Sequence, residues 1–330
     1  MKNSEPLSLL NIYPDLSTDE LLAQLIPPRE FEAARFENYI PDEKFESQTL
    51  ARDLASSFAK NSAKFLKQNG ANHIYLDGGF GVGKTHLLAS VFHESKGKKA
   101  FGSFLAFTGL IGAIGFAECM KQLSSYDLIC IDEFELDDPG DTMLLSRMLS
   151  ELDAKGVRFA STSNTPPNAL GKGRFAAEDF AREISAMANR FKMISVEGED
   201  FRHRSSGSDS PVLSAEGLGL WVDNLKSKNS LVAKNGFDEL LNHLSELHPT
   251  KYGALIKNLY GLALENVYQI QDQVAALRWV ACVDRLYEAQ VRIANTGIPL
   301  TQVFSEEMTG GTYRKKYLRA ISRLGSLVDV

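Results

Sequence analysis

HIYLDGGFGVGKT, residues 73–85, is the stretch from which the rest of the chain can be read. Three apolar residues, Ile74, Tyr75 and Leu76, read as a short strand running into a glycine-rich turn. A helix then opens at Lys84, with Leu87-Leu88 and Val91-Phe92 on its apolar side. Gly78, Gly83, Lys84 and Thr85 occupy the fixed places of the phosphate-binding loop G-x-x-x-x-G-K-[ST]. Gly78, Gly79, Gly81 and Gly83 let successive backbone N–H groups wrap an anion without Cβ clashes. The helix start adds unpaired N–H groups and a partial positive charge. Lys84 has the reach for β- and γ-phosphates, and the Thr85 hydroxyl suits Mg²⁺. The nucleotide-binding set read here is Gly78, Gly79, Phe80, Gly81, Val82, Gly83, Lys84, Thr85 and His86, with ATP and Mg²⁺ as the ligands.

Downstream, Asp127–Asp132 (DLICID) is an apolar run ending in an acid and followed at once by Glu133. That is the form of a buried parallel strand delivering carboxylates to its C-terminal end. Asp132 suits coordination of Mg²⁺, and Glu133 stands where a general base orients and deprotonates water. The strand of FASTSNTPP brings Asn164. If that strand lies between the other two, Asn164 falls near the γ-phosphate and holds the attacking water. Arg174, Arg182 and Arg190 follow, three candidates for an arginine finger offered to a neighbouring subunit, with Arg190 best placed to cross an interface. Ahead of the loop, Phe36 and Tyr39 read equally well as an adenine contact or as a cap on the sheet edge.

Strands are expected at Lys99–Phe107, Gly156–Ser161 and Phe191–Val196, and helices at Ser47–Asn69, Thr108–Leu123, Gly140–Ala154 and Ala176–Arg190. Alternation of this kind predicts an α/β unit, a parallel sheet with helices on both faces. Residues 1–26 read as a mobile lead-in ending in a short helix with Leu21-Leu22 and Leu25-Ile26, residues 27–204 as the nucleotide-binding unit, and residues 205–330 as a mostly helical unit beyond a Ser/Gly/Asp-rich linker. Its helices are expected over Phe237–Leu247, Tyr252–Leu264, Gln273–Asn295 and Tyr313–Leu327. Arg278, Arg285 and Arg292 recur every seventh residue in the third, a spacing that by itself reads as a solvated face.

A 330-residue chain with 44% hydrophobic residues can bury a sizeable core, and its length fits two domains. The net charge of −6 argues against nucleic acid as an obligatory partner. Cys119, Cys130 and Cys282 lack metal-ligand spacing and sit among apolar residues, as buried thiols of a reducing compartment do. The N-terminus lacks a signal-peptide core and no run of about 18 apolar residues occurs, so a cytoplasmic protein without a transmembrane segment is expected.

The set GGFGVGKTHLL (Gly78–Leu88), DEFELDDPGDTMLLSRML (Asp132–Leu149), TSNTPP (Thr162–Pro167) and EDFRHR (Glu199–Arg204) resembles the ZapE cell-division ATPase family, relatives of the mitochondrial AFG-type ATPases in the AAA+ class. Leu277–Val291 resembles that family's R-F-x-x-L-[IV]-D-x-L-Y-D element, and Tyr317–Leu324 its F-x-R-x-x-S-R-L close. The resemblance implies an AAA+ α/β core, a helical lid, Mg-ATP hydrolysis coupled to homo-oligomer formation, and a protein partner, in the bacterial branch the division-ring protein FtsZ. It also makes Arg278 a lid arginine that senses the nucleotide. Asn168–Gly171 (NALG) departs from the family's DDLY, and the segment up to Arg190 is longer than its pattern. Two other readings remain. One is a nucleic-acid ATPase like the DnaA and DnaC initiators, whose loops resemble GVGKTHLL; the other is a nucleotide-gated adaptor or scaffold.

Overall fold

A computed structural model describes residues 6–60, 72–79, 81–134, 139–164, 189–199, 211–227, 230–311 and 313–328. Two compact units emerge: Thr18–Arg204, and Met1–Ser17 together with Ser205–Val330.

In the first unit, helices α1 (Thr18–Ala23) and α2 (Glu46–Ala59) precede strand β1 (His73–Asp77) and helix α3 (Lys84–Glu94). Then come β2 (Lys99–Ser103), α4 (Phe104–Ile114), α5 (Phe116–Leu123), β3 (Leu128–Asp132), α6 (Pro139–Asp153), β4 (Arg158–Ser163) and β5 (Phe191–Ser195). Among the described residues these five strands form one parallel sheet in the order β2-β3-β4-β1-β5. β4 therefore lies between β1 and β3, which is the condition on which the reading of Asn164 hung. Alternation along β1 shows how the sheet is covered. Ile74 and Leu76 join Ala51, Ala55 and Phe58 of α2 and Leu87, Leu88 and Val91 of α3. Tyr75 meets Phe134, whose ring contacts Phe104 of α4.

The strand expected over Lys99–Phe107 stops at Ser103, because the Ser103 side chain accepts the Ala106 N–H (3.2 Å) and so caps α4. The single helix expected over Thr108–Leu123 is broken at Gly115 (φ +79°), where the chain bends by 118° from α4 into α5. The far end of the Ser47–Asn69 helix and nearly all of Ala176–Arg190 lie outside the described residues. No single described helix is long and apolar enough to cross a membrane; α4 and α5 pass that test only as a bent pair.

The second unit is not only helical. β6 (Val232–Gly236), β7 (Gly261–Val267) and β8 (Arg292–Gly297) form a parallel sheet in sequence order. With them stand α7 (Ala215–Ser227), α8 (Phe237–Glu246), α9 (Tyr252–Leu255), α10 (Gln273–Glu288), α11 (Glu306–Gly310) and α12 (Arg314–Leu327), so helices still supply most of its regular structure. The helix expected over Tyr252–Leu264 is the short α9 followed by β7, and Gln273–Asn295 is α10 followed by β8. Both breaks are marked by left-handed residues, Asn258 (φ +63°) and Gln290 (φ +54°). α8, α10 and α12 share one core, while α7 covers the other face through Leu218, Val222 and Leu225.

The lead-in expected over residues 1–26 does not exist as one segment. Leu7 pairs with β6 through Leu7 N–H to Val232 O (3.0 Å) and Lys234 N–H to Leu7 O (2.9 Å). Leu9 is buried and its N–H reaches Asn235 Oδ1 (3.2 Å). Leu21, Leu22 and Leu25 are buried in the nucleotide unit instead, where Leu25 O accepts the Phe101 N–H (2.9 Å).

Candidate active site

β1 leaves the sheet at Asp77 and the chain turns through the glycines into α3. At Gly78 a Cβ would stand 2.1 Å from Val196 O, so no side chain fits there. Gly81 (φ +70°) and Gly83 (φ +86°) take left-handed conformations that a glycine adopts without steric cost. Gly79, by contrast, has open space where a Cβ would go. Tyr39 supports the turn from below. Its hydroxyl donates to Val82 O (3.2 Å), and its ring would be 2.6 Å from a Cβ on Gly83. Burial lifts the Tyr39 hydroxyl to about 12, so it remains a donor at neutral pH. Phe36 and Tyr39 both belong to the core of this unit. His86 turns Nε2 toward Arg35 O (3.1 Å) and Asn38 Oδ1 (2.9 Å), tying α3 to the segment that carries Tyr39. We expect Gly83→Ala, strained in backbone and against Tyr39, to weaken ATP binding by about tenfold or more. Equilibrium titration with a fluorescent ATP analogue would measure it; affinity equal to wild type would count against this role for Tyr39 and Gly83.

Lys84 is 8% exposed, and its ammonium donates to Gly78 O (2.8 Å), Gly79 O and Asn164 Oδ1 (2.9 Å). Thr85 Oγ1 lies 3.3 and 3.2 Å from the two carboxylate oxygens of Asp132. Thus α3, the end of β3 and the end of β4 bring Lys84, Thr85, Asp132 and Asn164 together. Glu133 follows in a left-handed conformation (φ +52°), with its N–H on Thr162 Oγ1 (3.1 Å). Thr162 donates its own proton to Asp132 Oδ1, and Thr162 O accepts the Phe134 N–H (2.7 Å). Thr162 is missed by sequence reasoning, although alternation along β4 puts it on the same face as Asn164. Asp77 was also missed: burial pushes its carboxyl up, against the pull of Lys84 and the Gly78 N–H.

Arg190 is not brought to this loop. It precedes β5, whose first residue pairs with His73 at the start of β1, while the loop leaves the other end of that strand. Five residues of strand, about 3.3 Å each, separate the two ends. Its guanidinium binds Asp153 Oδ2 (3.0 Å) at the end of α6. Asp153 Oδ1 takes His73 Nε2 (3.0 Å), whose Nδ1 accepts the Phe159 N–H (3.1 Å) and so fixes the tautomer. Phe80, Arg174 and Arg182 lie outside the described residues. Arg278 belongs to the second unit, on α10.

The donor set fits a nucleotide triphosphate with Mg²⁺. Loop N–H groups and a buried ammonium suit phosphates. One hydroxyl and one carboxylate suit a metal that takes its remaining ligands from phosphate and water. Among the described residues no group of three or more His, Cys, Asp or Glu side chains forms a metal cage of its own.

A model of the AFG1-like ATPase family matches residues 16–218 and 224–329. The cell division protein ZapE of Escherichia coli (strain K12) is 24% identical over 295 residues, covering 76% of each chain. Lactation elevated protein 1 homolog B of Danio rerio is 28% identical over 158 residues, 48% of this chain and 29% of that protein. Among solved structures, domain III of the Thermotoga maritima replication initiation protein DnaA superposes with a TM-score of 0.42 at 17% identity, covering 69% of this chain and 88% of that one.

Proposed function

The chain belongs to the AFG1-like ATPase family, and from that premise we propose that it couples Mg-ATP hydrolysis to the remodelling of a protein partner in cell division. The observation that carries the chemistry is the meeting of Lys84, Thr85, Asp132 and Asn164 at the ends of adjacent parallel strands. Lys84 and the loop N–H groups hold the phosphates. Thr85 and Asp132 hold Mg²⁺, which when bound neutralises charge on the transferring phosphoryl group. Glu133 takes the proton of the attacking water, and Asn164, tethered to Lys84, orients that water.

An arginine from a neighbouring copy completes the site, as in ring-forming ATPases. Arg190, Arg182 and Arg174 are the candidates. Arg190 carries a cost in this role, since it must leave Asp153 or work while held by it. Arg278 senses the nucleotide from the second unit, a role supported by the family resemblance alone. The partner class follows from the Escherichia coli relative's designation as a cell division protein, and the family resemblance narrows it to FtsZ.

Steady-state hydrolysis at saturating Mg-ATP, measured against protein concentration, tests the shared site. Specific activity is expected to climb by about tenfold or more across the assembly range, because an arginine in trans contributes on the order of 10³ or more to turnover. Activity that stays flat from the monomeric range upward would refute a site shared between copies. Co-sedimentation with FtsZ polymers, with and without ATP, tests the partner: no ATP-dependent association would remove it.

A further inference from the structure

Resting on the roles proposed above for Asp132 and Glu133, we propose that Thr162 is the positioning residue of the acid pair: it clamps the metal-binding carboxylate and sets the turn that aims the general base. Thr162 is 2% exposed, within the central strand β4. A hydroxyl offers one proton and two lone pairs. Here the proton goes to Asp132 Oδ1, and a lone pair takes the Glu133 N–H at 3.1 Å. The main-chain oxygen of the same residue takes the Phe134 N–H at 2.7 Å. One residue of β4 thereby holds three consecutive residues leaving β3.

Glu133 needs such a hold. With φ at +52° it occupies a region that non-glycine residues rarely adopt, so its direction depends on the surroundings that impose it. The Thr162 oxygen meets the N–H of that very residue. Asp132 is gripped by two hydroxyls from different elements, Thr85 on α3 and Thr162 on β4. Thr85 belongs to the loop-helix that engages the nucleotide, whereas Thr162 belongs to the sheet. The carboxylate keeps one fixed partner whatever Thr85 does.

Three full-length proteins decide the matter: wild type, Thr162→Val and Thr162→Ser. Valine keeps the shape and removes both hydroxyl bonds; serine keeps the bonds. Binding of a fluorescent ATP analogue is measured in EDTA, then as a function of Mg²⁺, alongside kcat and KM. For Thr162→Val, kcat falls by about 10–100-fold with KM near wild type, as for an interaction that matters in the transition state. Its half-saturating Mg²⁺ rises by about 10-fold or more, the scale expected for losing a bond to a charged group. Metal-free binding stays within about twofold, because Lys84 and the loop are untouched, and Thr162→Ser recovers most of both losses.

Wild-type kcat and Mg²⁺ dependence in Thr162→Val would overturn the proposal. So would metal-free binding that falls as steeply as kcat, which general damage would produce, or a serine variant no better than valine. If wild type itself has no turnover, the hydrolysis reading fails separately. The Mg²⁺ titration of binding still decides on Thr162: a raised half-saturation supports it, an unchanged one overturns it.

Discussion

Glu133→Gln is expected to bind ATP as wild type does and to turn it over about 10²–10⁴-fold more slowly, the range that general bases contribute. The substitution is nearly isosteric and replaces the carboxylate by a neutral amide that does not take a proton from water. The backbone N–H that meets Thr162 is kept, so the left-handed turn after β3 survives. Lys84 binds the loop, and Thr85 binds Asp132, through atoms the change does not touch. Equilibrium binding and single-turnover hydrolysis on one preparation make the comparison. Hydrolysis within a few-fold of wild type would place the base elsewhere; affinity lost in step with turnover would make Glu133 a structural residue.

Asp284→Ala is expected to destabilise the second unit by about 3–5 kcal/mol, because it removes the carboxylate that two largely buried guanidinium groups share. Asp284 on α10 is 15% exposed and takes Arg319 (2.9 Å) through one oxygen and Arg323 through the other. Both arginines lie on α12, so the carboxylate fastens two helices that share a core. Arg323 also lies over the Tyr287 ring, 5.1 Å from its centroid. Burial would raise the Asp284 carboxyl, but the two arginines outweigh it and hold it below the usual carboxylate range. The sign follows. The contribution is complete above the unfolded-state value of about 3.9 and is lost as pH falls through the lower folded value. The stability gap between wild type and Asp284→Asn should therefore hold at neutral pH and narrow only below about pH 4. Urea unfolding followed by circular dichroism at several pH values would show it, and a gap unchanged at pH 3 would contradict the assignment.

These two residues also mark what could and could not be read from the chain. The loop and the acid pair were legible because each strand is an apolar run ending in a functional residue, followed by a turn, whereas the place of β4 between β1 and β3 entered only as a condition and is set by the sheet. The sheet of the second unit was hidden by that same kind of burial. β7 (GLALENV) and β8 (RIANTG) pack on both faces, so they lack period-two alternation and blend into the helical patterns before them. Asn258 and Gln290, where those patterns stop, are not glycines, and nothing local shows their left-handed φ. Asp284, Arg319 and Arg323 could be matched to motifs but not to one another, since 35 and 39 residues separate them and only the packing of α10 on α12 pairs them. Tyr39 could be read as a base contact or as a cap, and the fold makes it the support beneath Gly83.

The pairing of Leu7 with β6 bears on how the chain is made. Leu9 and its partner Asn235 are 226 residues apart. At about 5–20 residues per second a ribosome needs roughly 11–45 s to pass from one to the other. Within that time the whole of Thr18–Arg204 has been synthesised. The segment around Leu7 thus leaves the ribosome well before the strand that receives it. A nascent chain arrested before Val232 has no β6 to receive Leu7, so early termination leaves a free strand edge for other chains to pair with.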